Sequence, residues 1–413
     1  MLKAIINWFT MANQDSNALR AAEFASDSAH EQSQSALFSV LPGEIRNHIW
    51  NYALADYEDT TQLYDDATCY KRPDYFAPRK TDTVLLRTCK RIYQEAWFLP
   101  WTNAEQTFYL TSTDRRPPRT TTPRDMQRTL LAISRSQTMP IIQHVRVFPQ
   151  LYALENGQRL QEILNLRFFY PKVITITIRH TDWWFWESDN NLHFDATWVD
   201  FCRFPNSLTE LRVAFESLER KKDQIDDVVR QAIEGWVFRR KDDTELSAKH
   251  CEPEIMRWNG SATWHHHRWI RDETGPNKLD YYVCTVTWRP VGSTNKEEAP
   301  GAHMTGSRRF PNLDAIGYTQ LNDPTPSVPI SFIRNADLPL DAPTEDIRRL
   351  LVQPSSEEEE NEDGLLVPLS SEEEEDEDED EEDDGSEEDE DEFEQDNTDS
   401  EDDEFMDAES GEG

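Results

Sequence analysis

From Ser355 to Gly413 the chain carries thirty-five Asp or Glu and not one Lys or Arg. Like-charge repulsion and scarce apolar side chains leave too little hydrophobic gain to offset the entropy of ordering such a segment. A disordered acidic C-terminal tail is therefore expected over residues 355–413. It holds 35 of the 39 net negative charges, and residues 1–354 keep 46 acidic against 42 basic side chains. A nearly neutral body carries a polyanion, and each needs its own functional argument.

The body has the composition of a folded protein. Nearly all Trp, Phe and Tyr precede residue 320, enough for a sizeable core in one large or two small domains. No run of eighteen apolar residues occurs, so no membrane span is expected. The opening MLKAIINWFTM is broken by Asn7 and lacks a small-residue cleavage site, which argues against a secretory signal. Five widely spaced cysteines without CxxC pairing point to reduced thiols inside the cell, with nucleus and cytoplasm both open.

Residues 1–36, rich in Ser, Gln, Asn and Ala from position 11 onward, read as a flexible leader. Over Leu41–Leu54 the residues Ile45, His48, Ile49, Tyr52 and Ala53 recur on one helical face, and that stripe is expected to be buried. Pro42 and Glu44 suit a first helical turn. About thirty polar residues follow, Ala55 to Asp82. A second stripe then runs through Leu85, Cys89, Ile92, Tyr93 and Ala96. Thr111 to Pro123 reads as a loop.

Beyond it the period alternates between strand and helix. Strands are expected at His144–Phe148, Val173–Ile178 and Leu208–Phe215, and helices around Leu160–Phe168, Asp195–Phe204 and Ile225–Trp236. Strand starts about thirty residues apart predict parallel pairing through crossover helices. The fold class is therefore α/β (or α+β): a helical N-terminal module on a small mixed or parallel sheet. The period allows either a short open sheet or an irregular leucine-rich-repeat-like arc, although the LxxLxLxxN signature is missing. Trp258-Asn259-Gly260 reads as a turn and Tyr281–Trp288 as a strand. The resulting division is a helical module at 37–99, an α/β recognition body at 124–292, and a Pro-rich linker at 293–354 with one short helix near Thr344–Val352.

LPGEIRNHIWNYAL, followed by LLRTCKRIYQEA, resembles the F-box-like module at the front of many fungal proteins, LPxEIRxxIYxxxL then LLxxCrxIyxEa. The match rests on Leu41, Pro42, Glu44 and Ile45, then on Leu85, Leu86, Cys89, Arg91, Ile92, Tyr93, Glu95 and Ala96. The resemblance covers about residues 37–99 and departs from the usual form in the long Ala55–Asp82 insertion. It implies docking on a Skp1-like adaptor through Leu41, Pro42, Glu44, Ile45 and Ile49, with the rest of the chain capturing a target for ubiquitination. The residues alone leave a second reading open, in which the two helices merely cap the α/β body.

Other constellations carry less. His265-His266-His267 cannot all face one ion, because neighbouring side chains point in different directions, so no metal and no cofactor is expected. None of GxSxG, HExxH, GxxxxGK[ST] or GxGxxG is present, and no enzyme activity is expected. Asp182-Trp183-Trp184-Phe185-Trp186-Glu187 follows a buried strand and reads as a loop over the sheet edge. The small basic clusters at Arg115–Arg119 and Arg239–Lys241 form no stripe, so nucleic acid is not an expected partner. In the tail, Leu365, Leu366, Val367 and Leu369 before Ser370-Ser371 and acids resemble a SUMO-interacting strand. Ser355, Ser356, Ser370 and Ser371 resemble sites of acidophilic, casein-kinase-2-type kinases. The expected function is non-enzymatic protein–protein interaction, either as an F-box-type adaptor of a ubiquitin ligase or as an acidic-tail binder of basic nuclear proteins such as histones.

Overall fold

Three apolar runs become neighbouring parallel strands, as their spacing predicts. The computed structural model describes residues 22–352 except 26, 138, 250, 292–308 and 311–317. The tail, with Leu365, Leu366, Val367, Leu369, Ser355, Ser356, Ser370 and Ser371, lies outside the described residues. The elements that place the functional surfaces begin with helix α1 (Gly43–Ala53), the hairpin strands β1 (Asp56–Glu58) and β2 (Arg79–Thr81), and helix α2 (Lys90–Ala96). Then come β3 (Gln106–Leu110), α3 (Pro123–Ser134), β4 (Ile141–Pro149), α4 (Gln158–Leu164), β5 (Tyr170–Ile178), β6 (Arg203–Phe204), β7 (Glu210–Leu218) and α5 (Lys222–Gly235). The C-terminal part adds β8 (Phe238–Arg240), β9 (Glu245–Ser247), β10 (Glu254–Ser261), β11 (Lys278–Pro290), β12 (Val328–Pro329), α6 (Ile330–Asn335) and α7 (Thr344–Val352).

The architecture is mixed α/β around a nine-stranded sheet in the order β3-β4-β5-β7-β11-β9-β8-β6, with β10 also on β11. Strands β3, β4, β5 and β7 run parallel. Strand β11 is antiparallel to β7 on one side and to β10 and β9 on the other. The sheet is larger than expected because short pieces at 106–110, 203–204 and 238–261 extend it at both edges. Ile174, Ile176 and Ile178 of β5 with Leu211, Val213 and Phe215 of β7 point into the main core. Leu160 and Ile163 of α4 and Ile225, Val228 and Val229 of α5 close it. Burial of such side chains contributes about 1.5–3 kcal/mol each and is the main source of cohesion.

Several expectations are corrected. Pro123 opens helix α3 instead of ending a loop: Thr122 and Asp125 form a reciprocal capping box, and Met126, Leu130 and Ile133 face inward. Residues 258–260 lie within strand β10, not in a turn. The Trp258 ring crosses Gly260 to stack on Tyr281, centroids 4.2 Å apart and 12° from parallel, and any β-carbon at 260 would meet both rings within 2.8 Å. Part of the expected leader is docked, with Ala22 buried and Phe24 edge-on to Tyr93 at 5.1 Å. Of the expected linker, residues 318–352 fold back on the body. Val328, Ile333 and Ile347 gather with Ile270 in a small core of their own.

Gly157 precedes α4 at φ 72°, where a β-carbon would meet Phe201 Cδ1 at 2.7 Å and Cys202 Sγ at 3.1 Å. Gly157→Ala is expected to cost about 1–3 kcal/mol through backbone strain and overpacking. Urea unfolding of the two proteins gives the difference.

Candidate functional site

Helix α1 carries apolar residues on two sides, and the fold buries the side the periodicity did not select. Arg46 donates from Nη2 and Nε to Glu95 Oε1 and Oε2 at 2.8 and 3.0 Å, and from Nη1 to the Leu41 carbonyl at 2.7 Å. Trp50 Nε1 donates to the same carboxylate at 3.1 Å. Arg46, Trp50 and Leu54 follow one another at i+4, so this row packs on α2 with Leu86, Ile92, Tyr93 and Trp97. Burial would raise the Glu95 carboxyl, yet the Arg46 and Trp50 hydrogen bonds outweigh it and hold it below its ordinary value. The expected buried stripe therefore faces solvent. Ile45 is 47%, Ile49 38% and Tyr52 83% exposed, with Val40 just before the helix at 72%. Pro42 and Glu44 are exposed beside them and Leu41 is half-buried.

In the second half of the motif, Leu86, Ile92, Tyr93 and Ala96 supply core, Cys89 caps α2 and Glu95 is the anchor. The F-box-like positions thus divide into residues that hold α1 in place and residues left outward. A single helical face with three large apolar side chains in water is a feature that marks partner sites.

The polar insertion between the helices is ordered. Strands β1 and β2 pair, and its inner turns reach the C-terminal ends of β4, β5 and β7. Tyr75 meets Phe148 edge-on at 5.1 Å, and Arg72 lies between the Phe148 and Trp258 rings at 5.6 and 5.9 Å. Arg72 Nη2 pairs with Glu216 at 2.8 Å, and both side chains are almost fully buried. Next to them the chain leaving β5 turns sharply, so that Arg179 forks onto Asp182 at 2.7 and 3.0 Å.

Between the insertion and these strand ends is a cavity of about 260 Å³. Its wall includes Cys69, Arg72, Arg179, His180, Glu216 and Tyr281, with Lys71 and Lys278 toward the rim. Burial pushes His180 down to about 3, so its imidazole is neutral at ordinary pH; its Nδ1 lies 3.4 Å from Ser217 Oγ. Burial likewise raises the Cys69 thiol, which disfavours the nucleophilic thiolate. The wall is thus lined by buried polar side chains, with His180 and Cys69 both held in their uncharged forms.

A polar sheet face adjoins this end. His144 Nδ1 and Arg146 Nε contact Glu105 at 2.6 and 3.1 Å, and His144 Nε2 is 2.8 Å from Thr175 Oγ1. Arg212 and Arg289 share Glu210 and remain about half exposed.

Elsewhere, His265 and His266 occupy left-handed turn positions, and Trp264 and Trp269 pack with Trp186 in the core. Among the described residues no group of three or more His, Cys, Asp or Glu is placed to hold a metal ion. No described helix is long and apolar enough to cross a membrane. The five cysteines are free. Searches against family models, curated proteins and solved structures found no match to this chain.

The cavity residues escaped the sequence reading, although a signal was present. Arg179-His180-Thr181-Asp182 directly follows the apolar run of β5, and polar residues just past a buried parallel strand are where α/β sheets place ligand sites.

Proposed function

We propose that the chain is a non-enzymatic interaction protein, an F-box-type adaptor in which the outward face of α1 docks on a Skp1-like partner and the α/β body holds a target. The observation that carries this is the exposure of Ile45, Ile49 and Tyr52 on a helix whose opposite side is fixed by Arg46, Trp50 and Glu95. Those outward residues include the ones through which the resemblance implies docking, Ile45 and Ile49, with Leu41, Pro42 and Glu44 at the start of the helix. The ordered insertion leaves this face open. Strands β3, β4, β5 and β7 stand side by side in chain order, which supports a leucine-rich-repeat-like recognition body whose polar sheet face meets the target.

The test is affinity capture from extract with the full chain. Recovery of a Skp1-type adaptor with a cullin, lost on Ile45→Asp with Ile49→Asp while the circular dichroism spectrum is kept, is the expected result. Recovery of basic nuclear proteins instead, lost on deleting residues 355–413 and weakened by salt, would favour the acidic-tail reading, which rests on the thirty-five uncompensated carboxylates.

A further inference from the structure

We propose that the outer edge of strand β10 takes up one extended segment of the target, added antiparallel, in which two adjacent apolar residues are followed by Lys or Arg. The inference rests on the reading of the body as the part that holds a target. It does not involve α1, so the adaptor test and the test below can fail separately.

The backbone calls for an extended partner. Strand β10 pairs with β11 along one side, from Glu254 opposite Thr285 to Ser261 opposite Lys278, and with no other strand among the described residues. Its other side presents a row of N–H and C=O groups, a template for one more strand. Edges are usually blunted by brevity, Lys, Pro or a bulge. This one has eight residues, neither Lys nor Pro, and an unbroken register. Glu254, Ile255, Met256 and Arg257 are all exposed, Ile255 by 53% and Met256 by 37%. Two large apolar side chains in water, one on each face of a pairing edge, mark a place that a partner covers.

The side chains select that partner. Residues directly opposite in antiparallel strands share a face. An incoming segment therefore meets Arg257, Met256, Ile255 and Glu254 in that order from its own N-terminus. Apolar residues suit Met256 and Ile255. Arg257 is already held by Glu219 at 3.1 Å. Glu254 has no cation beside it among the described residues, so a basic residue belongs opposite it. A second copy of this chain cannot supply the pattern. Two identical edges meet antiparallel only about a two-fold axis perpendicular to the sheet, which keeps like faces together. Glu254 then stands opposite the second copy's Glu254, Met256 or Trp258, never its Arg257. Through Thr285 and Ala214, Glu254 and Met256 lie on the same sheet face as Arg212, the polar face proposed to meet the target.

The test is selection of a displayed library of random octapeptides on the full chain, then titration of the winning sequence as a synthetic peptide by fluorescence anisotropy. Winners are expected to carry an apolar pair followed by Lys or Arg. Replacing that basic residue of the peptide with Glu is expected to weaken binding about threefold or more, the scale of a cross-strand charge pair. The Glu254→Lys protein is expected to reverse that order, which a merely structural role of Glu254 would not do. Bound peptide is expected to slow amide exchange at residues 254–257. Ile255→Lys with Met256→Lys is expected to abolish binding with an unchanged circular dichroism spectrum. No enriched peptide, winners without the pattern, or binding that Glu254→Lys or the folded double variant leaves unchanged overturns the proposal. So does a dimer at tens of micromolar in sedimentation that the double variant abolishes, because a second copy then holds the edge.

Discussion

Asp189→Asn is expected to destabilise the protein by about 3–5 kcal/mol, the usual consequence of stripping one partner from a buried charge cluster. The Asp189 side chain is fully buried and takes Arg220 Nη2 at 2.7 Å and Lys221 Nζ at 2.9 Å. It also accepts from the Tyr318 hydroxyl at 2.8 Å and the Leu321 amide at 2.8 Å, so it fastens the returning segment to the body. Lys221 is itself 1% exposed; burial already lowers its pKa and Asp189 opposes that shift, so without the carboxylate the ammonium is either left uncompensated or forced to give up its proton, and both cost stability. Asn is chosen because residue 189 sits at φ 55°, a conformation Asn tolerates and Ala does not. Differential scanning calorimetry at pH 7 measures the loss.

The same residue sets a pH dependence. Burial would raise the Asp189 carboxyl, but the hydrogen bonds from Arg220 and the Leu321 amide and the charge of Lys221 prevail and hold it well below the usual carboxylate range. A carboxyl depressed in the folded state stabilises fully above its unfolded value, and that share is lost as pH falls through the folded one. Melting temperature is therefore expected to drop more steeply below about pH 5 in the parent than in Asp189→Asn. Parallel curves would contradict this role.

Glu216→Gln is the second large effect, again about 3–5 kcal/mol. Glu216 Oε2 receives Arg72 at 2.8 Å and Trp258 Nε1 at 3.2 Å, with both charged side chains almost fully buried. The amide keeps the shape and abandons the guanidinium. Arg72→Met combined with Glu216→Gln is expected to recover part of the loss, because removing both charges spares the penalty of leaving one behind. A double-mutant cycle reads the coupling directly, and strict additivity would mean that the insertion is not held to the sheet through this pair.

Legibility in the sequence followed the strength of the local physical signal. The β-branched run Val173–Ile178 and the alternation at Leu208–Phe215 announced β5 and β7, and the stripe from Ile225 to Trp236 announced α5. Strand β10 was illegible because Glu254–Arg257 are exposed, so no buried face imposes a period on it. Helix α3 had a readable start, Thr122-Pro123-x-Asp125, that its Thr- and Pro-rich surroundings concealed. Helix α1 was legible as a helix but not in orientation. Periodicity names a stripe without saying what covers it, and an i+4 row opening with Arg46 reads as polar until Glu95 is placed opposite. The cavity draws on the insertion, β5, β7, β10 and β11. A site assembled from segments this far apart in sequence has no local spacing to betray it.

The most direct measurement of the account is hydrogen–deuterium exchange on the purified chain with and without a purified Skp1-type adaptor. Slowed exchange confined to residues 41–54, and absent in the Ile45→Asp, Ile49→Asp protein, is the expected result. Saturable binding that leaves those amides unchanged, or no binding at tens of micromolar, would show that the outward face of α1 is not where this protein meets its partner.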